Sequence, residues 1–452
     1  MQSESTRPED DEPTCAYVAR RDDPSNWHGD EPDDWQLDAD VWECPHETYA
    51  DTDLCVFHTP PDELPDDVDE GEEFVRVVNE KSAEAEGERV EGFALVGVEL
   101  GEFRIVDEIL ISDNCTWIGI YHSVFNKGVL MKRCNVKPEF YLENCNIRND
   151  SQLYNSSDID CSFRQTHFQN LVYFNNTNFS NIKNVSFRYV DFSDSGEVSF
   201  ENTNFSGDCH VSFRDTNFSD NWICFMSSDF SGKSGVSFRD GNFSNSSVFY
   251  SGSDFSGKGV ILFNDANFSS CERLEFDRTD FSESSRVSFR RVNLSNSFVN
   301  FSDSILKAKR MDFRDANFSK GIIKFNYITK DFSFGGSDFS DSKVVGVSNV
   351  SGVSFTKTDF TNVDLPDLDF SGTDLQQAVF SRCDLYGADF TDAKIADTLF
   401  GDAQVNHRTN FGHLDENGDL HRHFRVAYDR EPVPDTRWER AKHAVRHYLP
   451  TK

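Results

Sequence analysis

From Val185 the chain reads VSFRYVDFSDSGE, from Val198 VSFENTNFSGDCH, and from Val211 VSFRDTNF. The same frame runs through Phe225, Phe238, Tyr250, Phe263, Phe276, Phe289, Phe301 and Phe313, so a large anchor recurs every 12 or 13 residues from Phe187. A second anchor follows each first one by five residues, at Phe192, Phe205, Phe218, Phe230, Phe243, Phe255, Phe268, Phe281, Leu294, Leu306 and Phe318. Two residues before it sits a small or β-branched residue such as Thr203, Thr216, Ser228, Ala266 or Thr279, and directly before it is usually Asp or Asn.

This spacing is neither the 3.6 of a helix nor a long alternation of period two. Residues two apart in an extended segment point the same way, so the small and large positions both face inward. Ser, Asp, Asn and Gly then fill corners, where turn chemistry needs them. Phe-Arg or a near match marks Phe187-Arg188, Phe213-Arg214, Phe238-Arg239, Phe263-Asn264, Phe289-Arg290 and Phe313-Arg314, at steps of 26, 25, 25, 26 and 24. Coils of about 25 residues follow, each with four inward anchors and two bulged corners. Paired anchors continue upstream through Phe174/Phe179, Phe163/Phe168, Tyr154/Ile159, Leu142/Ile147, Met131/Val136 and Ile120/Phe125. The expectation is an all-β solenoid over 95–405, of roughly ten to twelve coils. At the ~4.8 Å spacing of adjacent strands that is a rod of about 50 Å.

From Phe355 the period becomes a strict five: Phe355, Phe360, Leu365, Phe370, Leu375, Phe380, Leu385, Phe390, Ile395, Phe400, Val405. With strings such as Gly-Thr-Asp374-Leu375 and Gly-Ala388-Asp389-Phe390, this block resembles the pentapeptide-repeat family. The resemblance implies a right-handed, four-sided parallel β-helix of about 20 residues per coil. The central block departs from the family pattern, because two or three extra residues separate its pentad pairs.

The chain has 452 residues and a net charge of −35. Residues 1–90 carry −23, the repeat 91–405 carries −14, and 406–452 carry +2. Such a balance opposes direct nucleic-acid binding and anionic membranes, and suits solubility in high salt. No apolar run is long enough for a membrane span, and MQSESTRPEDDEPT has neither the basic nor the apolar region of a secretory signal. A salt-adapted cytoplasmic protein is therefore expected. Forty-three Phe residues argue against a disordered chain.

Eleven cysteines fall into two sets. Cys134, Cys145, Cys161 and Cys383 lie two residues before an anchor and read as buried small residues, as does Cys115, whereas Cys209, Cys224 and Cys271 fall at outward or corner positions. No disulfide framework is visible. Cys15, Cys44, His46, Cys55 and His58 lie instead in an acidic, repeat-free segment. Thiolate and imidazole are zinc donors, Cys55-x2-His58 is a ligand spacing, and a metal would supply the folding free energy that so polar a segment lacks. That leaves five candidates for four places, against a bland alternative of unligated cysteines in a small cap. The arrangement resembles the N-terminal Cys/His segment that precedes pentapeptide repeats in halophilic archaeal proteins. The resemblance implies Cys15, Cys44, Cys55 and His58 as ligands of a structural zinc, with His46 the spare.

Arg164, Arg188, Arg214, Arg239, Arg290 and Arg314 share one position of the repeat, beside Asp215, Asp240, Asp265 and Asp315. They form either a solvated Arg–Asp stripe or a docking ladder for an acidic partner or phosphate backbone. The recurrent Asn-Phe-Ser, as at Asn178, Asn204 and Asn217, reads as a product of the repeat rather than as glycosylation sites. In the His-rich tail, Trp438, Ala441, Val445 and Tyr448 fall on one stripe of an amphipathic helix, expected to cap the last coil or to make a homodimer or partner contact. No P-loop, dinucleotide, Gly-x-Ser-x-Gly or His-Glu-x-x-His motif is present.

The organisation expected is an acidic zinc-like module over 1–65, an acidic linker or cap over 66–94, the β-helix over 95–405 and a tail over 406–452. The function expected is a non-enzymatic scaffold that presents a surface to a macromolecular protein partner. A topoisomerase-directed DNA mimic is the second reading and a carbohydrate-active β-helix the third.

Overall fold

The computed structural model describes residues 14–23, 41–49, 52–65, 68–84, 93–100, 103–106, 110–111, 117–121, 123–125, 129–132, 135–136, 139–143, 145–148, 161–325, 328–412 and 425–426. It divides into two compact units, residues 1–236 and 237–452.

In the first unit four parallel ladders define four sides. One runs through Phe93–Val96, Trp117–Tyr121, Glu139–Glu143, Val172–Tyr173, Glu197–Ser199 and Trp222–Cys224. A second runs through Glu99–Leu100, Val124–Phe125, Asn146–Arg148 and Asn178–Asn181. A third links Phe103–Val106, Val129–Lys132, Cys161–Ser162, Asn184–Ser186 and His210–Ser212. The fourth links Leu110–Ile111, Asn135–Val136 and His167–Phe168. The pairing of Val172 with Val198 and of Val198 with Ile223 gives coils of 26 and 25 residues.

In the second unit the coil shortens along the chain. Val248 pairs with Leu274, Leu274 with Val299, Val299 with Ile323 and Ile323 with Val344, at steps of 26, 25, 24 and 21. From the bridge between Asn349 and Asp369 to that between Asp384 and Gln404 the step is 20, and it is 21 between Asp389 and Asn410. The expected change from about 25 to 20 residues is therefore present, but it is graded rather than abrupt.

The interior is a column of rings. Phe187 stacks on Phe213 at 4.8 Å and 5°, and Phe289 on Phe313 at 4.8 Å and 3°. Within a coil the rings meet edge to face, as Phe187 meets Phe200 at 5.2 Å and 84°. Both arrangements suit the ring quadrupole. These rings are fully buried, each contributing roughly 2 kcal/mol by removal from water.

The small inward residue does more than leave room. Thr203, Thr216 and Ser228 donate their hydroxyls to the carbonyls of Phe174, Phe187 and Phe200 one coil earlier, at 2.8, 2.6 and 2.5 Å. Cys145 and Cys383 use their thiols in the same way, on Ile120 and Phe360. Cys209, Cys224 and Cys271, expected outward or at corners, are buried instead. For Cys271 the reason is a second small slot three residues after the second anchor, held also by Ser195, Asn221 and Ser297, from which Cys271 donates to Phe243 O at 3.1 Å; Cys224 instead takes the place that Ser199 holds in the same ladder. Cys115 and Cys134 lie outside the described residues.

At the corners the Asp or Asn before an anchor accepts the N–H two residues on, as Asn204 accepts from Ser206 at 2.9 Å. Asn217 also donates to Asp191 one coil below, at 2.9 Å. The recurrent Asn-Phe-Ser has this structural explanation.

Residues 66–94 contain a helix, Glu70–Glu84. Asp69 Oδ1 caps its first turn, accepting from Gly71 N and Glu72 N at 2.9 and 3.0 Å. Its Phe74 is fully buried and meets Phe93 and Phe103, the first inward rings, at 5.3 Å each. At the other end Gln404–Val405 pairs with Arg425–Val426. The helix expected around Trp438–Leu449 lies outside the described residues, as do Tyr154 and Ile159. Among the described residues no helix is long and apolar enough to cross a membrane.

Candidate metal centre and arginine stripe

Three short chain segments build the Cys/His cluster. Val18–Arg20 pairs antiparallel with Val41–Glu43. Cys15 N donates to His46 O and Cys44 N to Tyr17 O, at 2.8 and 3.1 Å, which sets Cys15 beside Cys44. The turn Cys55–Thr59 supplies the rest: His58 N and Thr59 N both donate to Cys55 O, placing Cys55 Sγ and His58 Nδ1 on one side.

The result is a compact donor set. Cys15, Cys44, Cys55 and His58 bring their ligand atoms within 4.8 Å of one another, and the three cysteines are buried. Cys44 Sγ lies 3.7 Å from Cys55 Sγ, Cys55 Sγ 3.2 Å from His58 Nδ1, and Cys15 Sγ 3.7 Å from His58 Nδ1. Tetrahedral zinc with bonds of about 2.3 Å to sulfur requires sulfurs about 3.8 Å apart, so these residues fit that ion. Hydrogen bonds from Cys44 and then Cys55 lower the Cys15 thiol, while its bond to Cys15 pushes Cys55 up to about 12. Thiols and an imidazole gathered this closely release protons when they bind a cation.

His46, the fifth candidate, stands apart from this donor set. It is buried against Phe93 at 4.8 Å and Phe57 at 5.6 Å, with Nε2 3.4 Å from Ala94 O.

The arginines divide by unit. In the first, Arg164, Arg188 and Arg214 follow Phe163, Phe187 and Phe213, whose rings stack at 4.9 and 4.8 Å. The three guanidinium groups thus start from one corner of adjacent coils. Arg214 meets Asp215 at 3.3 Å, and Arg188 lies over the Tyr189 ring at 5.3 Å. Arg164 and Arg188 have no carboxylate partner among the described residues. In the second unit Arg290 pairs with Asp315 at 3.3 Å and Arg314 with Asp312 at 2.7 Å, whereas Arg239 has no carboxylate partner among the described residues.

Asp312 was not singled out in the sequence. It takes the place that Ser288 and Ser333 hold in the same ladder. Its carboxylate is fully buried and also accepts from Arg286 at 3.0 Å. Burial alone would raise its pKa, but the Arg314 hydrogen bonds outweigh this and hold it below the ordinary value. The legible signal was a lone acid in a Ser slot flanked by Arg310 and Arg314.

Fold and cluster together define a parallel β-solenoid headed by a buried Cys3His group. Residues 348–377 and 367–402 match the family model for pentapeptide repeats, in eight copies. Residues 348–402 thus carry pentapeptide repeats, and the family signature lies in those strict five-residue coils.

Among solved structures, the chain is similar to HetL, a pentapeptide repeat protein involved in heterocyst differentiation regulation from the cyanobacterium Nostoc sp. strain PCC 7120. The identity is 15%, with 60% of this chain and 89% of that one covered, at a TM-score of 0.16. It is also similar to QnrB1, a plasmid-mediated fluoroquinolone resistance protein, at 13% identity, 73% and 96% coverage and a TM-score of 0.15. A mannuronic acid specific polysaccharide family 6 lyase from human gut microbiota matches at 10% identity, 83% and 93% coverage and a TM-score of 0.21. No curated protein matches in sequence.

Proposed function

We propose that this protein is a non-enzymatic scaffold of a salt-adapted cytoplasm, and that its arginine corner docks an acidic protein partner. The observation that carries this reading is the row Arg164, Arg188 and Arg214 on successive coils of an otherwise acidic chain. Two of the three lack a carboxylate partner among the described residues. Tyr189, 45% exposed beside Arg188, adds an aromatic of the kind that interfaces favour. The inward chemistry is spent on packing, since the Phe anchors are buried ring on ring. Cys15, Cys44, Cys55 and His58 hold a structural zinc in this reading. Its chemistry is a cross-link between three segments that bury little apolar surface of their own.

The test is co-purification from native lysate in molar KCl. A specific protein retained by the wild type should be lost when Arg164, Arg188 and Arg214 are all changed to Glu. Retention by that variant would sink the docking stripe. The second reading, a topoisomerase-directed DNA mimic, predicts supercoiling inhibition by the purified protein; inhibition that survives the three Glu substitutions would favour it over the scaffold. Metal analysis tests the zinc: about one zinc per chain in the wild type and less in Cys55→Ala.

A further inference from the structure

The strand Phe93–Val96 is an edge. It pairs with Trp117–Tyr121 on one side, and it stands at the end of its sheet. An uncovered edge presents unpaired backbone groups and invites pairing with another chain. In a parallel strand, alternate residues turn their backbone groups to opposite sides. Here the carbonyls of Ala94 and Val96, two residues apart, are each met by a histidine ring from the Cys/His module. His46 Nε2 lies 3.4 Å from Ala94 O, and His58 Nε2 lies 3.0 Å from Val96 O.

We infer that the metal centre is the latch of the solenoid's N-terminal edge, with His58 as the part that engages both. A carbonyl oxygen only accepts, so His58 Nε2 must carry the ring proton. In the neutral ring Nδ1 then offers its lone pair, and that atom faces Cys55 Sγ at 3.2 Å and Cys15 Sγ at 3.7 Å. The tautomer that ligates a cation is therefore the one that closes the edge. A cation on Nδ1 also withdraws electron density from the ring and strengthens the Nε2–H donor. Packing holds the ring in this pose: Tyr17 stacks on it at 3.8 Å and 17°. Ala19 of the hairpin is buried against Val96 and Tyr121, with Tyr17 and Trp42 packed around them.

This inference rests on the proposal that Cys15, Cys44, Cys55 and His58 bind zinc, and the experiment separates the two. Amide hydrogen exchange is followed on the full chain with its zinc, after removal of zinc by a chelator, and in His58→Cys. Chelation should raise exchange at least tenfold in peptides covering 93–106, with 238–325 unchanged. His58→Cys offers four thiolates and should keep about one zinc per chain, yet its 93–96 amides should exchange faster than those of the zinc-bound wild type. Unchanged exchange over 93–106 once zinc has left overturns the latch while leaving the zinc site standing. A zinc-loaded His58→Cys protected as well as the wild type overturns the role of His58. A wild type that takes up no zinc overturns the metal reading, and the latch with it.

Discussion

At the residue scale, each coil is closed by side chains that satisfy backbone groups as well as fill space. Thr216 illustrates this: it is buried, inward and bonded at 2.6 Å to Phe187 O. Thr216→Val keeps the shape and removes the donor, leaving that carbonyl only the 3.4 Å turn bond from Val190 N. The expected cost is about 1 kcal/mol, read as lowered exchange protection around Phe187 and Phe213, and Thr216→Ser should recover most of it. The corners carry a complementary strain. Tyr189, Arg291, Lys357, Gln377 and Arg382 sit at φ between 57° and 61°, where L-residues are disfavoured by about 1–2 kcal/mol. Coil-to-coil bonds hold them there, such as Gln377 N to Ala396 O at 2.9 Å.

At the element scale, the weak place is the taper of the second unit. Where the coil drops from 24 through 21 to 20 residues, the column loses large rings: Val344, Val347 and Val350 stand among Phe325, Phe334, Phe339 and Phe355. They line a cavity of about 20 Å³. At about 24 cal/mol per Å³ this void costs on the order of 0.5 kcal/mol. Val350→Ile should fill it and raise the denaturant midpoint slightly, whereas Phe355→Ala should cost about 3–5 kcal/mol. A fall in the midpoint for Val350→Ile would mean that the taper cannot accept the extra group. The helix Glu70–Glu84 does the opposite job at the start of the first unit, covering Phe93 and Phe103 with Phe74.

At the scale of the whole molecule, charge decides the working conditions. With 79 acidic against 44 basic residues, self-repulsion opposes the folded state at low ionic strength. Raising KCl from 0.1 to 2 M screens it and should lift the thermal midpoint by on the order of 5 °C. A midpoint that falls with KCl would remove the salt-adapted reading. The proposed zinc adds a local layer to this: its loss should loosen the first coil and leave residues 238–325 as they were, because a repeat array is held by nearest neighbours.

Much of this was legible in the order of residues. A bulky anchor every five positions, a small residue two before it and Asp or Asn between them imply the solenoid, its ring column and its coil length. Each of those requirements is local and recurs in every coil, so the pattern is printed many times over. Cys15, Cys44, His46, Cys55 and His58 were legible as five candidate donors because thiolate and imidazole are zinc ligands, and the resemblance to the halophilic Cys/His segment narrowed them to four. Only the tertiary structure decided that His46 turns away to Ala94, that His58 reaches Val96, that Cys209, Cys224 and Cys271 are buried, and that Asp312 gathers arginines from separate coils. Those are contacts between residues 24 to 48 positions apart or depend on how inserted residues fold at a corner. Nothing in a short repeat encodes them, because they form once, where particular coils come to lie against one another.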